Sequence, residues 1–340
     1  MTPRPQLSII IINYRSADFT RKCVQTIRED AGTVALETIV IDNDSHDGCG
    51  AILQSEFPEV HFIQSEKNLG FAGANNLGAA RSAGSFLLFL NPDTEVQGQA
   101  IQNLLSALES DPDVAMVGAR LLNSDRSVQT TSITAFPSIL NQTFGAESLH
   151  RRFPKLKLWG MRPLFEPHQQ PVAVDAISGA CMMIRREAFI AVGGFTADYF
   201  MYAEDLDLCL KVRQSGHEVC YVPNAVVVHH GGKSSSSRSE SNYAAIMIRE
   251  SMVCFMTRHR GEAYATAFRA VTAINALSRL MVLSLLFAVS LATRRQQKVG
   301  NQIAKWMSIF KWSVGLQSWV GRETASQRST TAMSRVTQAQ

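Results

Sequence analysis

Carboxylates at three places and one histidine pair have the residue types and spacing to do chemistry. Asn91-Pro92-Asp93 follows the apolar run Phe86-Leu87-Leu88-Phe89-Leu90. A carboxylate on a loop after a buried strand can bind Mg²⁺ or Mn²⁺, which take oxygen ligands and often share them with substrate phosphates. The same tripeptide is also ordinary turn chemistry. Glu204-Asp205 opens a stretch with helical spacing. Acids at that point cap a helix and meet the positive end of its dipole, or act as a general base held by the helix start. His229-His230 ends an apolar run and precedes Gly231-Gly232. Strand alternation turns the two rings to opposite faces, so one of them faces a site and the other is structural. Asp42 closes the run Glu37-Thr38-Ile39-Val40-Ile41, and a carboxylate there can accept the imide N–H of uracil or thymine.

These residues require a scaffold that brings them together. The run Leu7-Ser8-Ile9-Ile10-Ile11-Ile12 reads as a strand buried on both faces, as in a parallel sheet. Further strands are expected at 37–42, 61–64, 86–90, 114–118, 218–222 and 225–229. Helices are expected at 19–27, 49–56, 76–83, 100–110, 186–192, 205–214 and 242–258, with 121–171 irregular. Strands alternating with helices predict an α/β fold with a mostly parallel sheet. Ligands of such sheets bind beyond the carboxyl ends of the strands, where Asn13-Tyr14, Asp42 and Asn91-Pro92-Asp93 all fall. Strand one is followed by no glycine-rich turn, which argues against a dinucleotide-binding dehydrogenase. Residues 227–234 approach a P-loop, but Val227 stands where its first glycine must be.

The chain has 340 residues and a net charge of +4; hydrophobic residues make up 46% and charged residues 18%. That is globular rather than disordered. The charge is uneven. From residue 263 onward ten basic residues face the single acid Glu323, a balance of +9, and the first 262 residues carry −5 (23 basic, 28 acidic). Residues 270–293 contain one charge, Arg279, and about 36 Å of helix would span a bilayer. Arg279 would sit near its middle at high cost. A helix lying in the interface avoids that cost, and the basic flank Arg294, Arg295 and Lys298 with Trp306, Trp312 and Trp319 suits an interfacial site, whereas Lys233 and Arg238 in the serine-rich loop either meet an acceptor diphosphate or are simply solvated. Packing on the protein or a second copy is the alternative. None of the six cysteines forms a C-x-x-C pair, as expected of a reduced cytoplasmic chain, and no signal peptide is expected.

The order of the motifs resembles the family 2 glycosyltransferases, in the rhamnosyltransferase-like branch. The resemblance rests on Ile11-Ile12-Asn13-Tyr14, Ile41-Asp42-Asn43-Asp44-Ser45, the run from Asn68 to Gly78, Leu90-Asn91-Pro92-Asp93-Thr94, Ser178-Gly179-Ala180-Cys181-Met182, Gly193-Gly194-Phe195, the run from Phe200 to Leu208 and that from Val228 to Ser234. It implies a GT-A fold, a Rossmann-like sheet flanked by helices, with a C-terminal helical membrane-associating appendage. The expected boundaries are 1–241 catalytic, 242–325 helical and 326–340 tail. It implies a nucleotide-diphosphate-sugar donor held by Asn13, Tyr14, Asp42, Asn68, Gly70, Asn76, Asn91, Asp93 and Gly179, with Arg common in the family where Asn75 stands. Mg²⁺ or Mn²⁺ would sit on Asp93 and His229, with His230 second. Asp205 would be the catalytic base and Glu204 its acidic neighbour. A single base without an enzyme nucleophile implies inversion. The expected reaction is transfer of L-rhamnose from dTDP-rhamnose to a lipid-linked or polysaccharide acceptor at the inner face of the plasma membrane, with no nucleic-acid partner and a homodimer left open. Transfer of galactofuranose or a hexose from a UDP donor, or a catalytically silent nucleotide-sugar-binding scaffold, are the rival expectations.

Overall fold

The computed structural model describes residues 4–145, 147–199, 201–231, 242–290 and 296–317. Phe200, Lys233, Arg238, Arg294, Arg295, Trp319 and the 326–340 tail lie outside them. Two compact units are present, Met1–Phe136 with Gly145–Ser235, and Pro137–Phe144 with Ser236–Gln340.

The first unit alternates as its apolar runs dictate: β1 (Leu7–Asn13), α1 (Ala17–Asp30), β2 (Leu36–Asp42), α2 (Cys49–Glu56), β3 (His61–Gln64), α3 (Gly70–Ala80), β4 (Phe86–Leu90), β5 (Thr94–Gln97), α4 (Ala100–Ser110) and β6 (Val114–Leu122). β1 and β4 are buried along their whole length because helices cover both faces of the sheet. After a short strand β7 (Ile133–Thr134), the chain enters α5 (Ile139–Phe144), which belongs to the second unit, and returns through α6 (Glu147–Arg152). Then follow β8 (Val172–Ala173), β9 (Ala176–Ile177), β10 (Cys181–Arg185), α7 (Arg186–Ala191), α8 (Glu204–Gln214) and β11 (Glu218–His229).

The main sheet runs in the order β3-β2-β1-β4-β10-β6-β11-β5, with β8 added on β11. β3, β2, β1 and β4 are mutually parallel, as are β6 and β11. β10 and β5 run antiparallel to their neighbours. The chain reverses its winding direction between β1 and β4, which opens the crevice where ligands of such sheets bind.

Several elements differ from their sequence expectation. α3 begins at Gly70, not at residue 76: Gly70 takes a left-handed φ of 71° and its N–H donates to Asn68 Oδ1 (2.9 Å), which starts the helix early. The small residues of this helix allow close packing, since a Cβ on Gly78 would meet Ile10 Cγ2 at 2.5 Å. β5, absent from the expectation, directly follows Asn91-Pro92-Asp93 and pairs with β11. The two strands expected at 218–222 and 225–229 are one strand, irregular between Val222 and Val226 around Pro223. The region expected to be irregular holds β7, α5, α6 and two 3₁₀ turns, and β6 runs on to Leu122.

The second unit contains α9 (Asn242–Arg260), α10 (Glu262–Ser290) and α11 (Gln296–Ser313), which pack on one another, with α5 against α10. α10 starts eight residues before the apolar stretch expected at 270–293. Thr272, Ala276 and Leu280 form the buried face of α10. Ile274, Leu277, Met281, Val282 and Leu285 lie exposed at helical spacing on the other. Glu262–Phe287 is long and apolar enough to cross a membrane by length and composition. Arg279 lies over the Trp306 ring, 4.5 Å from its centroid.

Candidate active site

Asp42 and Asn13 stand side by side because β1 and β2 pair in that register. Asn13 is fully buried. Its amide nitrogen faces Asp42 Oδ2 (2.8 Å), Ser45 Oγ (2.9 Å) and Asp47 Oδ1 (3.0 Å), and its oxygen accepts from the hydroxyls of Ser16 and Thr20 (both 3.0 Å). Asn13 thus joins the ends of β1 and β2 to the start of α1, where Asp47 Oδ2 also accepts the Ala17 N–H (2.9 Å). Asp42 accepts four protein hydrogen bonds: Ser45 N and Gln64 Nε2 on Oδ1, Ser45 Oγ and Asn13 Nδ2 on Oδ2. Burial alone would raise its pKa, but these donors outweigh it and hold the carboxyl below its ordinary value. Four bonds fill the acceptor capacity of a carboxylate. Tyr14 is half-buried beside this cluster, with Arg15 over its ring.

The next layer is the start of α3. Asn43 donates to Asn68 Oδ1 (3.0 Å) and to the Gly70 carbonyl (3.3 Å), and accepts the Leu69 N–H (2.8 Å). Asn75 is buried and donates back to the Phe71 carbonyl. Asn76 engages both ends of its amide with the Phe195 backbone (2.8 and 2.9 Å), fixing the Gly193-Gly194-Phe195 turn.

At the end of β4, His229 Nε2 lies 3.4 Å from Asp93 Oδ1 and 3.4 Å from Asn91 Nδ2. Its tautomer follows from Gln129. The Gln129 amide nitrogen donates to Asn123 Oδ1 (3.0 Å) and the His229 carbonyl (3.5 Å), so Gln129 Oε1 accepts from His229 Nδ1–H (2.8 Å). In the neutral ring, Nε2 then carries the lone pair, 3.4 Å from a carboxylate oxygen. That donor set fits a hard or borderline divalent cation, with the imidazole oriented by its other nitrogen. Among the described residues no group of three or more His, Cys, Asp or Glu gathers, so the remaining ligands would be substrate oxygens. His230 faces away, as alternation requires: its ring lies between Glu95 Oε1 (2.9 Å) and Ser124 Oγ (2.8 Å), and its backbone N–H donates to the Asp93 carbonyl (2.9 Å).

Asp205 and Glu204 sit at the first turn of α8. The two residues before them, Tyr202 and Ala203, hold left-handed φ values of 72° and 66°. Such non-glycine strain costs about 1–3 kcal/mol per residue and tends to concentrate at functional sites. Asp207, fully buried, steadies the turn by accepting from Thr196 Oγ1 (2.6 Å) and Tyr199 OH (3.2 Å) and pairing with Lys211 (3.3 Å). Asp205 Oδ2 accepts the Gly179 N–H (2.9 Å) and Oδ1 the Leu206 N–H (2.8 Å). Each oxygen keeps a lone pair for a hydroxyl. Burial raises the Asp205 pKa, tempered by those two N–H groups. A Cβ on Gly179 would stand 3.3 Å from Asp205 Cβ and 3.6 Å from the Phe71 ring, so the glycine keeps this approach open.

Glu204 is buried, and its Oε2 has no hydrogen-bond partner. Burial and then the neighbouring Asp205 push its pKa up to about 8. A carboxyl whose pKa is higher folded than unfolded costs stability as pH rises from its ordinary 4.5 toward the folded value. Glu204→Gln is therefore expected to match the wild type near pH 5 and to melt at a higher temperature at pH 8. Parallel melting curves across that range would exclude the shift.

Short contacts link these groups into one edge. Asn91 N–H donates to the Ala180 carbonyl (3.0 Å), Gly179 N–H reaches Asp205, and Phe71 at the α3 start flanks Gly179. Sequence reasoning missed Gln129, Gln64 and Asp47, which carry no local motif, and gave no role to Asp207, although it lies in the run from Phe200 to Leu208. Only Ser45 had a local signal, the Asp42-x-x-Ser45 spacing of an Asx turn.

The model for "Glycosyl transferase family 2" matches residues 8–193. The chain belongs to this family. The "N-terminal domain of galactosyltransferase" model matches residues 164–231. Among curated relatives of this glycosyltransferase, the N-acetylglucosaminyl-diphospho-decaprenol L-rhamnosyltransferase of Mycobacterium tuberculosis is 29% identical over 66% of this chain and 76% of its own length. Rhamnosyltransferase WbbL of Escherichia coli K12 is 26% identical over 65% of this chain and 82% of its own length. The mannosyltransferase PcManGT from Pyrobaculum calidifontis, solved with GDP-Man and Mn²⁺, shares the fold with a TM-score of 0.57 at 16% identity, covering 93% of this chain and 89% of the other. The family 2 glycosyltransferase assignment and its rhamnosyltransferase-like relatives agree with the motif order; the enzyme class replaces the silent scaffold.

Proposed function

We propose that this glycosyltransferase moves L-rhamnose from dTDP-rhamnose, with inversion, onto a lipid-linked acceptor in cell-surface glycan synthesis. The observation that supports it most is the continuous edge from Asp42 through Gly179 to Asp205 and on to Asp93 and His229, joined to relatives named as rhamnosyltransferases.

In this reading the base of the nucleotide lies against Tyr14 and the Asn13–Asp42 cluster. Its imide N–H takes the Asp42 Oδ1 position that the exposed Gln64 amide occupies. Asn68 and Gly70 border the nucleotide, and Asn76 shapes the pocket by holding the Phe195 turn. Gly179 brings backbone close to the sugar. Asp205 accepts the acceptor hydroxyl proton on the lone pair that Gly179 and Leu206 leave free. Glu204, neutral near pH 7, adds no second charge beside it. Asp93 and His229, with Asn91 adjacent, would hold Mg²⁺ or Mn²⁺, whose charge would stabilise the leaving diphosphate. The exposed apolar stripe of α10 and its basic surroundings support contact with the membrane interface at the cytoplasmic face.

The test is a donor panel of dTDP-rhamnose, UDP-galactofuranose and UDP-hexoses with a polyprenyl-diphosphate-linked sugar as acceptor. Transfer is expected from dTDP-rhamnose, dependent on Mg²⁺ or Mn²⁺. Asp93→Ala is expected to lower the cation-dependent rate about 100-fold or more and to abolish Mn²⁺-dependent tightening of donor binding. Full turnover in chelator, or an unchanged Asp93→Ala enzyme, refutes the assignment of Asp93. Preference for a UDP donor refutes the rhamnosyl specificity.

A further inference from the structure

The second unit holds a cationic cluster that sugar transfer does not use. Arg249 on α9 and Arg279 on α10 both bring their guanidinium groups to the indole of Trp306 on α11, 5.7 and 4.5 Å from its centroid. Arg249 NH1 donates to the Ala245 carbonyl (2.7 Å), and Arg279 Nε donates to Asn275 Oδ1 (3.1 Å). Each guanidinium has five N–H donors, so most are left for another partner. No carboxylate pairs with either group among the described residues.

Arginine does not shed its proton in proteins, so this charge is not neutralised by titration. Burial, and then the Arg279 charge, pull the Arg249 pKa down to about 10, which marks both desolvation and repulsion. The indole offsets part of that cost through cation–π attraction. A half-buried charge without a counterion keeps part of that cost. Two neighbouring guanidinium groups with unused N–H donors can grip a phosphate through paired hydrogen bonds.

The place of the cluster points to the source of the phosphate. Arg279 borders the exposed face of α10, one turn before Val282, while Thr272, Ala276 and Leu280 face inward. An anion bound there would lie at the rim of an apolar stripe, as a lipid headgroup lies at the rim of its chains. We propose that Arg249, Arg279 and Trp306 form a site for the phosphate of a membrane lipid whose chains meet Ile274, Leu277, Met281, Val282 and Leu285. The proposal rests on the membrane contact inferred above.

Full-length protein is mixed with vesicles of phosphatidylcholine alone or with added phosphatidic acid, in about 0.5 M salt to screen diffuse attraction. Sedimentation is expected to show about tenfold tighter binding to the phosphatidic acid vesicles. Arg249→Gln/Arg279→Gln is expected to lose that preference and still bind phosphatidylcholine. Lys305→Gln/Lys311→Gln, which removes the same charge from exposed positions of α11, is expected to keep it. Removing an uncompensated charge should leave the melting temperature in lipid-free buffer equal or higher; a fall would assign the arginines a structural role and overturn the site. A preference that survives in the arginine variant overturns it as well. Inorganic diphosphate that stabilises the wild type as strongly as phosphatidic acid vesicles would overturn the lipid assignment in favour of a soluble phosphate. The membrane contact is read separately. It fails if the wild type binds neither vesicle, or if Met281→Gln/Leu285→Gln binds both as the wild type does.

Discussion

Asp205→Asn is expected to lower kcat by about 1,000-fold and to leave donor affinity within about twofold. The carboxylate is positioned by Gly179 and Leu206 N–H groups and keeps lone pairs free, and in the proposed reading its work is to take a proton rather than to hold the donor. An amide cannot take it. The pH profile carries the same signature. Burial raises the Asp205 pKa above its ordinary 3.8, and the base acts only when ionised. The rate should therefore fall on the acid side at a pH above that value, and the limb should vanish in Asp205→Asn. Single-turnover kinetics with saturating donor, beside titration calorimetry of donor binding, measure both. A variant that keeps more than about a tenth of the rate removes Asp205 from the role of base.

The largest effect on stability is expected at Asn13. Asn13→Ala removes the one amide that lies between Asp42 and Asp47 and leaves the Ser16 and Thr20 hydroxyls without their acceptor. The loss is about 3 kcal/mol, the scale of breaking a buried network that includes charges. It also depends on pH. Asp42 has a depressed pKa in the fold, so it contributes stability above its ordinary 3.8, and this is lost as pH falls through the folded value. Asn13 is one of the donors that depress it. The deficit of Asn13→Ala should thus be full at neutral pH and shrink only as pH falls below 3.8, as read by urea unfolding at pH 7 and below that value. A deficit equal at both would mean that Asn13 acts by packing and not through Asp42.

Several parts of the site are legible in the order of residues alone. β1, β2 and β4 carry the apolar runs 9–12, 39–41 and 86–90, and the residues that follow these runs lie at the carboxyl edge of a parallel sheet. Alternation along a strand separates His229 from His230, and the fold turns His229 toward Asp93 and His230 toward Glu95. Other parts have no local sign. β5 has only four residues and exists through its pairing with β11. Gln129 is 100 residues from the histidine that it orients, and nothing near it in sequence marks it. The early start of α3 needs the left-handed φ of Gly70 and the Asn68 side chain, since the glycines and asparagines of this run weaken its own helix preference.

Arg279 shows the same division. By sequence it is a charge at the centre of an apolar helix, which weighs against a membrane span. Packing against α11 puts that charge beside Trp306, at the border of the exposed apolar face of α10.

The sequence by itself determined the family, the α/β class and the set of acids at strand ends, because buried runs, helix starts and motif order are properties of neighbouring residues. The tertiary structure decided how those groups are used. It filled every lone-pair position of Asp42, chose the lone pair of His229, isolated the Glu204 oxygen and set two arginines on one indole. Each of these depends on partners distant in the chain, since hydrogen bonding, burial and charge repulsion act through space and not along sequence.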